Sequence, residues 1–475
     1  MTTDRTPHLL AVLLACIAAI CCSPALGKPD IVIILTDDAG YGDFGFTGGT
    51  LLETPNIDRI ANEGVRLTQF YTTASVCSPS RAGFITGRYQ QRFGHHSNLT
   101  GQAARRGLGL PTSERTIADH LNAHGYHTGI VGKWHLGEAP ELVPTARGFD
   151  EFEGLVGGSR SFYAIESRDP IRSMQRRTPT TESKWFDEAG TDGFYVTDWT
   201  GDRSVDFISR HASSDDPYFL FASFTAPHTP MHAKADDLAK FSDVAPERRR
   251  IYAAMMLSLD EAVGDILDAV DASGEADDTI VMFFNDNGGA TNNGSDNGRY
   301  RGMKGSKWEG GVRVPAAIRW PSAFVAGADY HNIVSAMDFA ATAIAAAGGP
   351  LEDAMPLDGL DLTPALSSDA ALDEPIRDTL FWKRGPAGSV RSGPWKLIFT
   401  DATDPVLYHI PADPSETIDL ASEQSEVVER LMTQYESWVA EHVDAIWTEG
   451  DKWENYQRRK HNRELFGRPA ERRFP

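Results

Sequence analysis

The longest unbroken apolar, β-branched run in the body of the chain, Asp30-Ile31-Val32-Ile33-Ile34-Leu35-Thr36, stops at two adjacent carboxylates, Asp37 and Asp38. A run without polar alternation predicts a strand buried on both faces, as in the middle of a parallel sheet. Further runs at residues 128–131, 218–224, 279–285 and 315–320 predict further strands. Between them, apolar residues recur at helical spacing over 116–124, 201–211 and 248–271. This alternation predicts an α/β fold, a large mostly parallel central sheet flanked by helices. In such sheets ligands gather beyond the carboxyl ends of the strands. Four predicted strand ends carry polar groups: Asp37 and Asp38, Lys133 and His135, His228, and Asp286 and Asn287.

After about residue 375 the pattern changes to short strand pieces at 379–382, 395–400 and 406–409, then a helical stretch at 423–441. It predicts a small α+β C-terminal domain over 376–450, following a main domain over 28–375. Residues 451–475 are basic and irregular in pattern, and are expected to form a draped tail. Residues 1–27 stand apart: Arg5, an apolar run from 9 to 20, then Ser23-Pro24-Ala25-Leu26-Gly27. This reads as a secretory signal peptide cleaved after Gly27, with export to a periplasm or to the medium. The run is shorter than the roughly 20 residues of a membrane span, so no stable membrane insertion is expected after cleavage.

Cleavage removes Cys16, Cys21 and Cys22 and leaves Cys77 as the only cysteine, so no internal disulfide can form. A lone thiol in an exported chain is a buried inert group, half of an intermolecular bridge, or a residue kept for chemistry. Charge narrows the partners. With 45 Lys+Arg against 67 Asp+Glu the net charge is −22. That balance argues against a nucleic-acid binder and against adsorption to an anionic membrane. An anionic substrate would need local cations to hold it.

Cys77-Ser78-Pro79-Ser80-Arg81, with Thr86-Gly87 downstream, resembles the signature of the formylglycine-dependent sulfatases of the alkaline phosphatase superfamily. Other stations of that family follow in order: Leu35-Thr36-Asp37-Asp38, Gly132-Lys133-Trp134-His135, Pro227-His228, Asn285-Asp286-Asn287-Gly288, and Lys304-Gly305 leading to Glu309-Gly310-Gly311-Val312-Arg313. Leu407-Tyr408 and Asp413-Pro414-Ser415-Glu416 extend the likeness into the C-terminal part, so it covers nearly all of the mature chain.

The resemblance implies that a maturation enzyme of the host converts Cys77 to formylglycine, whose hydrate is the nucleophile of a sulfuric ester hydrolase. It implies one divalent cation held by Asp37, Asp38, Asp286, Asn287 and the modified Cys77. Oxygen ligands of this kind suit Ca²⁺ first and Mg²⁺ second. Arg81, Lys133 and Lys304 are the expected sulfate holders, His135 the base and His228 the proton donor, with Lys304 an alternative donor. Glu309 and Arg313 are expected to hold their loop, and Lys307 to be a solvated or pocket-edge lysine.

Two segments are candidates for substrate contact: Arg92 and His95 within residues 91–98, and Arg168 and Arg172 within 159–185, where cations and aromatics interleave. Such interleaving fits a sulfated glycan such as a carrageenan or a glycosaminoglycan. A phosphonate or phosphate monoesterase on the same fold, and a non-catalytic sulfated-glycan binder, are the rival readings. A dinuclear phosphatase would need a second metal cluster, and none can be assembled from the sequence.

Overall fold

The computed structural model describes residues 27–466, apart from 166–168, 170–171, 186–192 and 352–354. The expected signal peptide, save Gly27, therefore lies outside the described residues. Ten strands form one sheet: β1 (Asp30–Thr36), β2 (Val65–Tyr71), β3 (His127–Lys133), β4 (Glu151–Leu155), β5 (Gln175–Thr178), β6 (Thr181–Trp185), β7 (Tyr218–Ser223), β8 (Thr279–Asn285), β9 (Ala316–Arg319) and β10 (Ala328–Ser335). Their order is β10-β2-β9-β8-β1-β7-β3-β4-β5-β6. The middle, β8-β1-β7-β3-β4, is parallel throughout. β9 runs antiparallel between β8 and β2, and β5 and β6 extend the far edge antiparallel.

β1 lies at the centre because its side chains can be buried on both faces. Ile31, Ile33 and Leu35 enter one hydrophobic core, and Val32 and Ile34 the other. The period-2 pleat thus divides one apolar run between two layers. Helix Glu247–Ser273 covers one face with Tyr252, Met255, Met256, Leu259 and Val263, all buried. Helices Cys77–Thr86 and Ala336–Ala346 cover the other, where Phe84 packs on Phe221 and Phe284.

A separate antiparallel sheet follows: β11 (Thr379–Arg384), β12 (Ala387–Ser392), β13 (Trp395–Thr400) and β14 (Thr403–His409), paired in that order. Helix Ser425–Ala440 lays Leu431, Tyr435 and Trp438 on it, and the same apolar cluster takes in Tyr71, Tyr89 and Met337 of the larger unit. Trp382 is the anchor. It is buried and its Nε1 donates to Thr72 O at 2.7 Å, and a tryptophan so placed is worth about 3–5 kcal/mol against alanine.

Residues 451–466 correct the reading of an irregular tail. Asp451–Phe466 is a helix with Gln457 and His461 buried, and Arg458 is paired with Asp401 at 2.8 Å. The sequence pattern concealed it because the helix carries no apolar stripe. No helix among the described residues is long and apolar enough to cross a membrane.

Candidate active site

Parallel register builds the site. Thr36 at the end of β1 pairs with Asn285 at the end of β8, so Asp37 and Asp38 emerge beside Asp286 and Asn287. On the other side Leu35 pairs with Ser223, and Ser223 with Gly132, which delivers Lys133 to the same place. Asn285 itself is consumed as a pin. Its Oδ1 accepts from Thr36 Oγ1 (2.9 Å) and Ala39 N (3.1 Å), and its Nδ2 donates to Ala39 O (2.9 Å).

Cys77 opens helix Cys77–Thr86, every residue of which is buried. The helix N-terminus presents its positive end to the cluster. Arg81, one turn on, lies on the same face. Its Nε donates to Asp286 Oδ2 (2.9 Å), and its NH1 donates to Lys133 O (3.1 Å) and Ser223 Oγ (2.7 Å). Its NH2 is 3.6 Å from Asp37 Oδ2. Lys133 Nζ donates to the same Asp37 oxygen. Lys304 arrives from the opposite side, 2.6 Å from Asp38 Oδ1 and donating to Cys77 Sγ at 3.1 Å. Cys77 Sγ faces Asp37 Oδ1 at 3.5 Å, and His228 Nε2 lies 3.6 Å from Asp38 Oδ2.

Within the set of carboxylates and amide at the strand ends, Asp286 Oδ1 and Asn287 Oδ1 are buried and have no hydrogen-bond partner among the described residues. Asn287 Nδ2 donates to Asp38 Oδ1 (2.8 Å), which leaves its carbonyl oxygen free. Buried oxygens are seldom left unpaired. Here they belong to a set of three carboxylates and an amide carbonyl, the donor chemistry of a hard divalent cation. Asp37, Asp38, Cys77 and His228 also offer ligand atoms within 4.8 Å of one another. A second His/Glu group, His127, Glu151 and His211, lies by contrast at the opposite ends of β3 and β4, where Arg210 already grips both Glu151 oxygens at 2.9 and 2.8 Å.

The electrostatics follow from burial. Desolvation opposes ionisation of Asp37, but Lys133, with His228, Arg81 and Lys304 behind it, holds its carboxyl well below the usual range. Burial and the charge of Asp37 push Asp286 upward. Burial, with Asp286 and Asp37 adding, pushes the Cys77 thiol up as well, so an unaltered cysteine here stays protonated. Lys304 keeps its proton: burial is outweighed by Asp38, Cys77 and Asp37.

His135 is partly buried, and desolvation, with Lys133 and Arg81 adding to it, pushes its imidazole well below the usual range and keeps it neutral. Its Nε2 faces Leu99 O at 3.3 Å, which places the ring proton there. Nδ1 is then an acceptor, and it has no partner among the described residues. Asp38 and His135 both have positive φ, +70° and +62°. A non-glycine residue in that region is uncommon, and two in one cluster mark a site where backbone strain is tolerated for geometry.

The structure brings together Asp37, Asp38, Cys77, Arg81, Lys133, His228, Asp286, Asn287 and Lys304, and sets His135 in the field of Lys133, Arg81 and Asp37. The four candidate substrate contacts fare differently. Arg92 is committed to Asp358 (2.8 Å) and Glu441 (3.0 Å), and so ties the two units together. His95 is buried with Nε2 on Ser78 Oγ at 2.7 Å, its ring against Trp447. Arg172 is exposed, 3.9 Å from Asp169, and Arg168 lies outside the described residues. Lys307, expected to be solvated or at a pocket edge, is 4% exposed and thus buried. Sequence reasoning missed Ser223 and Asn285 as positioning groups. Their signal was available only in the strand register.

The sulfatase family model matches residues 29–349. N-acetylgalactosamine-6-sulfatase of Homo sapiens is 32% identical over 473 residues, covering 89% of this chain and 87% of the relative. Arylsulfatase A of Homo sapiens is 31% identical, covering 82% and 83%. Among solved structures, Ps i-CgsB in complex with k-i-k-neocarrahexaose superposes with a TM-score of 0.82 at 29% identity, over 93% of this chain and all of the other. On this evidence the chain belongs to the sulfatase family and is a hydrolase of that class.

Proposed function

We propose that this protein is an exported enzyme that releases inorganic sulfate from a sulfated polysaccharide or its oligosaccharides. The observation that carries the reading is the pairing of Cys77, at a buried helix N-terminus, with unpartnered Asp286 Oδ1 and Asn287 Oδ1 and with three cations, Arg81, Lys133 and Lys304. The carbohydrate is supported by two relatives: an N-acetylgalactosamine-6-sulfatase, and a structure holding k-i-k-neocarrahexaose.

Asp37, Asp38, Asp286, Asn287 and residue 77 would hold the cation, calcium before magnesium. When bound it supplies Lewis acidity toward a sulfate oxygen. Conversion of Cys77 to formylglycine supplies a hydrated aldehyde in place of a thiol that burial keeps protonated. Residues 77–81 are all buried, so the maturation enzyme would act before the chain folds.

The chain's own groups divide the remaining work. Arg81, Lys133 and Lys304 bind the sulfate and offset charge gathering on its oxygens. Neutral His135 takes a proton at Nδ1. His228 donates from Nδ1 to Thr229 O at 2.6 Å and turns Nε2 toward the cluster, 3.6 Å from Asp38 Oδ2, so that once protonated at Nε2 it would give that proton to the leaving oxygen. Cys77 conversion is the test. Mass spectrometry of the tryptic peptide carrying residue 77, from a host with a maturation enzyme, should show aldehyde in place of thiol. Cys77→Ala should fold normally and lose at least about 10⁴-fold in sulfate release. Near-normal release by that variant would sink the reading.

A further inference from the structure

The helix that carries Cys77 has no cap of its own. Val76, at its N-cap, makes no side-chain capping hydrogen bond, and the first N–H groups of a helix find no partner within it. Asn98 supplies an acceptor from a loop: its Oδ1 accepts from Ser78 N at 3.1 Å. The same loop adds His95, whose Nε2 lies 2.7 Å from Ser78 Oγ. One residue beyond Asn98, Leu99 O is the group that faces His135 Nε2 at 3.3 Å. Residues 95–100 belong to no helix or strand. Two settings of the site, the start of the Cys77 helix and the direction of the His135 ring, therefore depend on a stretch with no regular structure of its own.

What holds that stretch comes from the C-terminal part of the chain. Trp447, 4% exposed, falls between helices Ser425–Ala440 and Asp451–Phe466. Its Nε1 donates to Asn98 O at 2.9 Å, and its ring meets the His95 ring edge to face with centroids 4.5 Å apart. Leu99, Ala103 and Ala104 pack with it in one small apolar cluster. Its neighbour Ile446 donates from N to Gly94 O at 3.0 Å. The reach of this grip follows from backbone geometry. Asn98 O and Leu99 O belong to successive planar peptide units, so only φ and ψ of Leu99 separate them. Trp447 Nε1 holds the first unit, and burial of the Leu99 side chain beside the Trp447 ring restricts the two dihedrals. The second carbonyl is thereby aimed at His135, and the proton it draws to Nε2 leaves Nδ1 as the acceptor.

We propose that Trp447 is a positioning residue for sulfate release: through Asn98 O and Leu99 O it fixes the His135 ring in the Nε2–H tautomer, with Nδ1 free to take a proton. This rests on the reading of His135 as the base. If Trp447 served packing alone, phenylalanine, which keeps a ring against His95 and Leu99, would preserve turnover per folded molecule.

The test uses the mature enzyme with its histidines labelled with the heavy nitrogen isotope. Proton–nitrogen correlation spectra through two bonds distinguish the imidazole tautomers, and the His135 signals are assigned by their loss in His135→Gln. Wild type should show the Nε2–H tautomer. Trp447→Phe, which loses only the donor, should show the Nδ1–H form or a mixture. On 4-methylumbelliferyl sulfate its kcat should fall about 10- to 100-fold, the loss that misplacement from a distance produces. KM should stay within about twofold, because the misplaced group acts in the transition state and not in binding. Leu99→Ala, which keeps the donor but loosens the packing, should shift the tautomer less in the same direction, and it decides the matter if Trp447→Phe does not fold. A wild-type His135 with its proton on Nδ1, or variants that keep the Nε2–H tautomer whatever their kcat, would overturn the lock. A shifted tautomer with unchanged kcat would uphold the lock and remove His135 as the base instead.

Discussion

Two buried clusters of charge lie on either side of the loop formed by residues 299–313, and both are formally balanced. On one side Asp37, Asp38 and Asp286 face Arg81, Lys133 and Lys304. On the other, Glu309 and Glu416 face Lys396 and Arg313. Balance therefore does not distinguish a site from a strut. Saturation does. Glu309 has both oxygens engaged, by Lys396 (2.7 Å) on one side and by Tyr71 Oη (2.9 Å) and Arg313 (3.1 Å) on the other. Glu416 Oε2 accepts from Glu309 N at 2.7 Å, and its Oε1, which has no hydrogen bond among the described residues, still has the Lys396 ammonium 3.0 Å away as an ion pair. In the first cluster Asp286 Oδ1 and Asn287 Oδ1 are left over. One cluster is closed and joins β2, the loop and β13; the other is open and joins strand ends around a reactive residue.

The largest effect expected from this contrast comes from filling or blocking the open cluster. Asp286→Asn keeps an acceptor for Arg81 but removes a carboxylate charge from the cation site. Sulfate release should fall by about 10³-fold or more. In wild-type protein stripped by chelator, added calcium should raise the melting temperature, because the ion binds the folded state alone. In Asp286→Asn that rise should vanish. A variant that still responds to calcium like wild type would place the ion elsewhere.

The closed cluster should answer in stability. Lys396→Met leaves Glu309 and Glu416 buried side by side, and removing one partner of a buried pair costs about 3–5 kcal/mol. Urea unfolding should show that loss. Turnover per folded molecule should stay within about threefold of wild type, since no group at Cys77 has been touched. A collapse of kcat with little loss of stability would mean that the strut is part of the site.

The two clusters were unequally legible. The open one could be read in the sequence because Asp37, Asp38, Lys133 and Asp286 sit at ends of strands such as β1, whose apolar run is unbroken, and because Cys77, Arg81 and Lys304 lie in segments that resemble the sulfatase motifs. The closed one depends on pairs such as Lys396 and Glu309, 87 positions apart. The Glu309–Gly310–Gly311–Val312–Arg313 segment announced a structural loop but not its partner. The partners of Arg92 and His95 were illegible for the same reason. Nothing local foretells Asp358, 266 positions from Arg92. β2 (VRLTQFY), β10 (ADYHNIVS) and β12 (AGSVRS) went unread because polar or small residues interrupt each of them. Helix Asp451–Phe466 was hidden because it is held by ion pairs and ring contacts, such as His461 stacked on Trp308 at 6.1 Å, and not by a stripe of aliphatic residues.

The smallest effect concerns which carboxyl of the closed cluster carries the charge. Burial pushes Glu416 up to about 7, against the pull of Lys396 and with the charge of Glu309 adding to the rise. Glu309, buried but held by Lys396 and Arg313, lies at about 2. The signs differ accordingly. Between about 4.5 and 7 the folded chain keeps a proton on Glu416 that the unfolded chain has released, so this stabilisation is full below 4.5 and is lost as pH rises through 7. Glu309 works the other way, its contribution present above 4.5 and lost as pH falls toward 2. Glu416→Gln should match wild type near pH 5 to within about 1 kcal/mol, because the amide offers one acceptor and one donor as the protonated acid does. It should then remove a decline on the order of 2–3 kcal/mol between pH 5 and 8. Urea midpoints across that range decide the matter. Parallel curves for the two proteins would assign the charge to Glu416 as much as to Glu309, and the closed cluster would then be a fully ionised quartet at neutral pH.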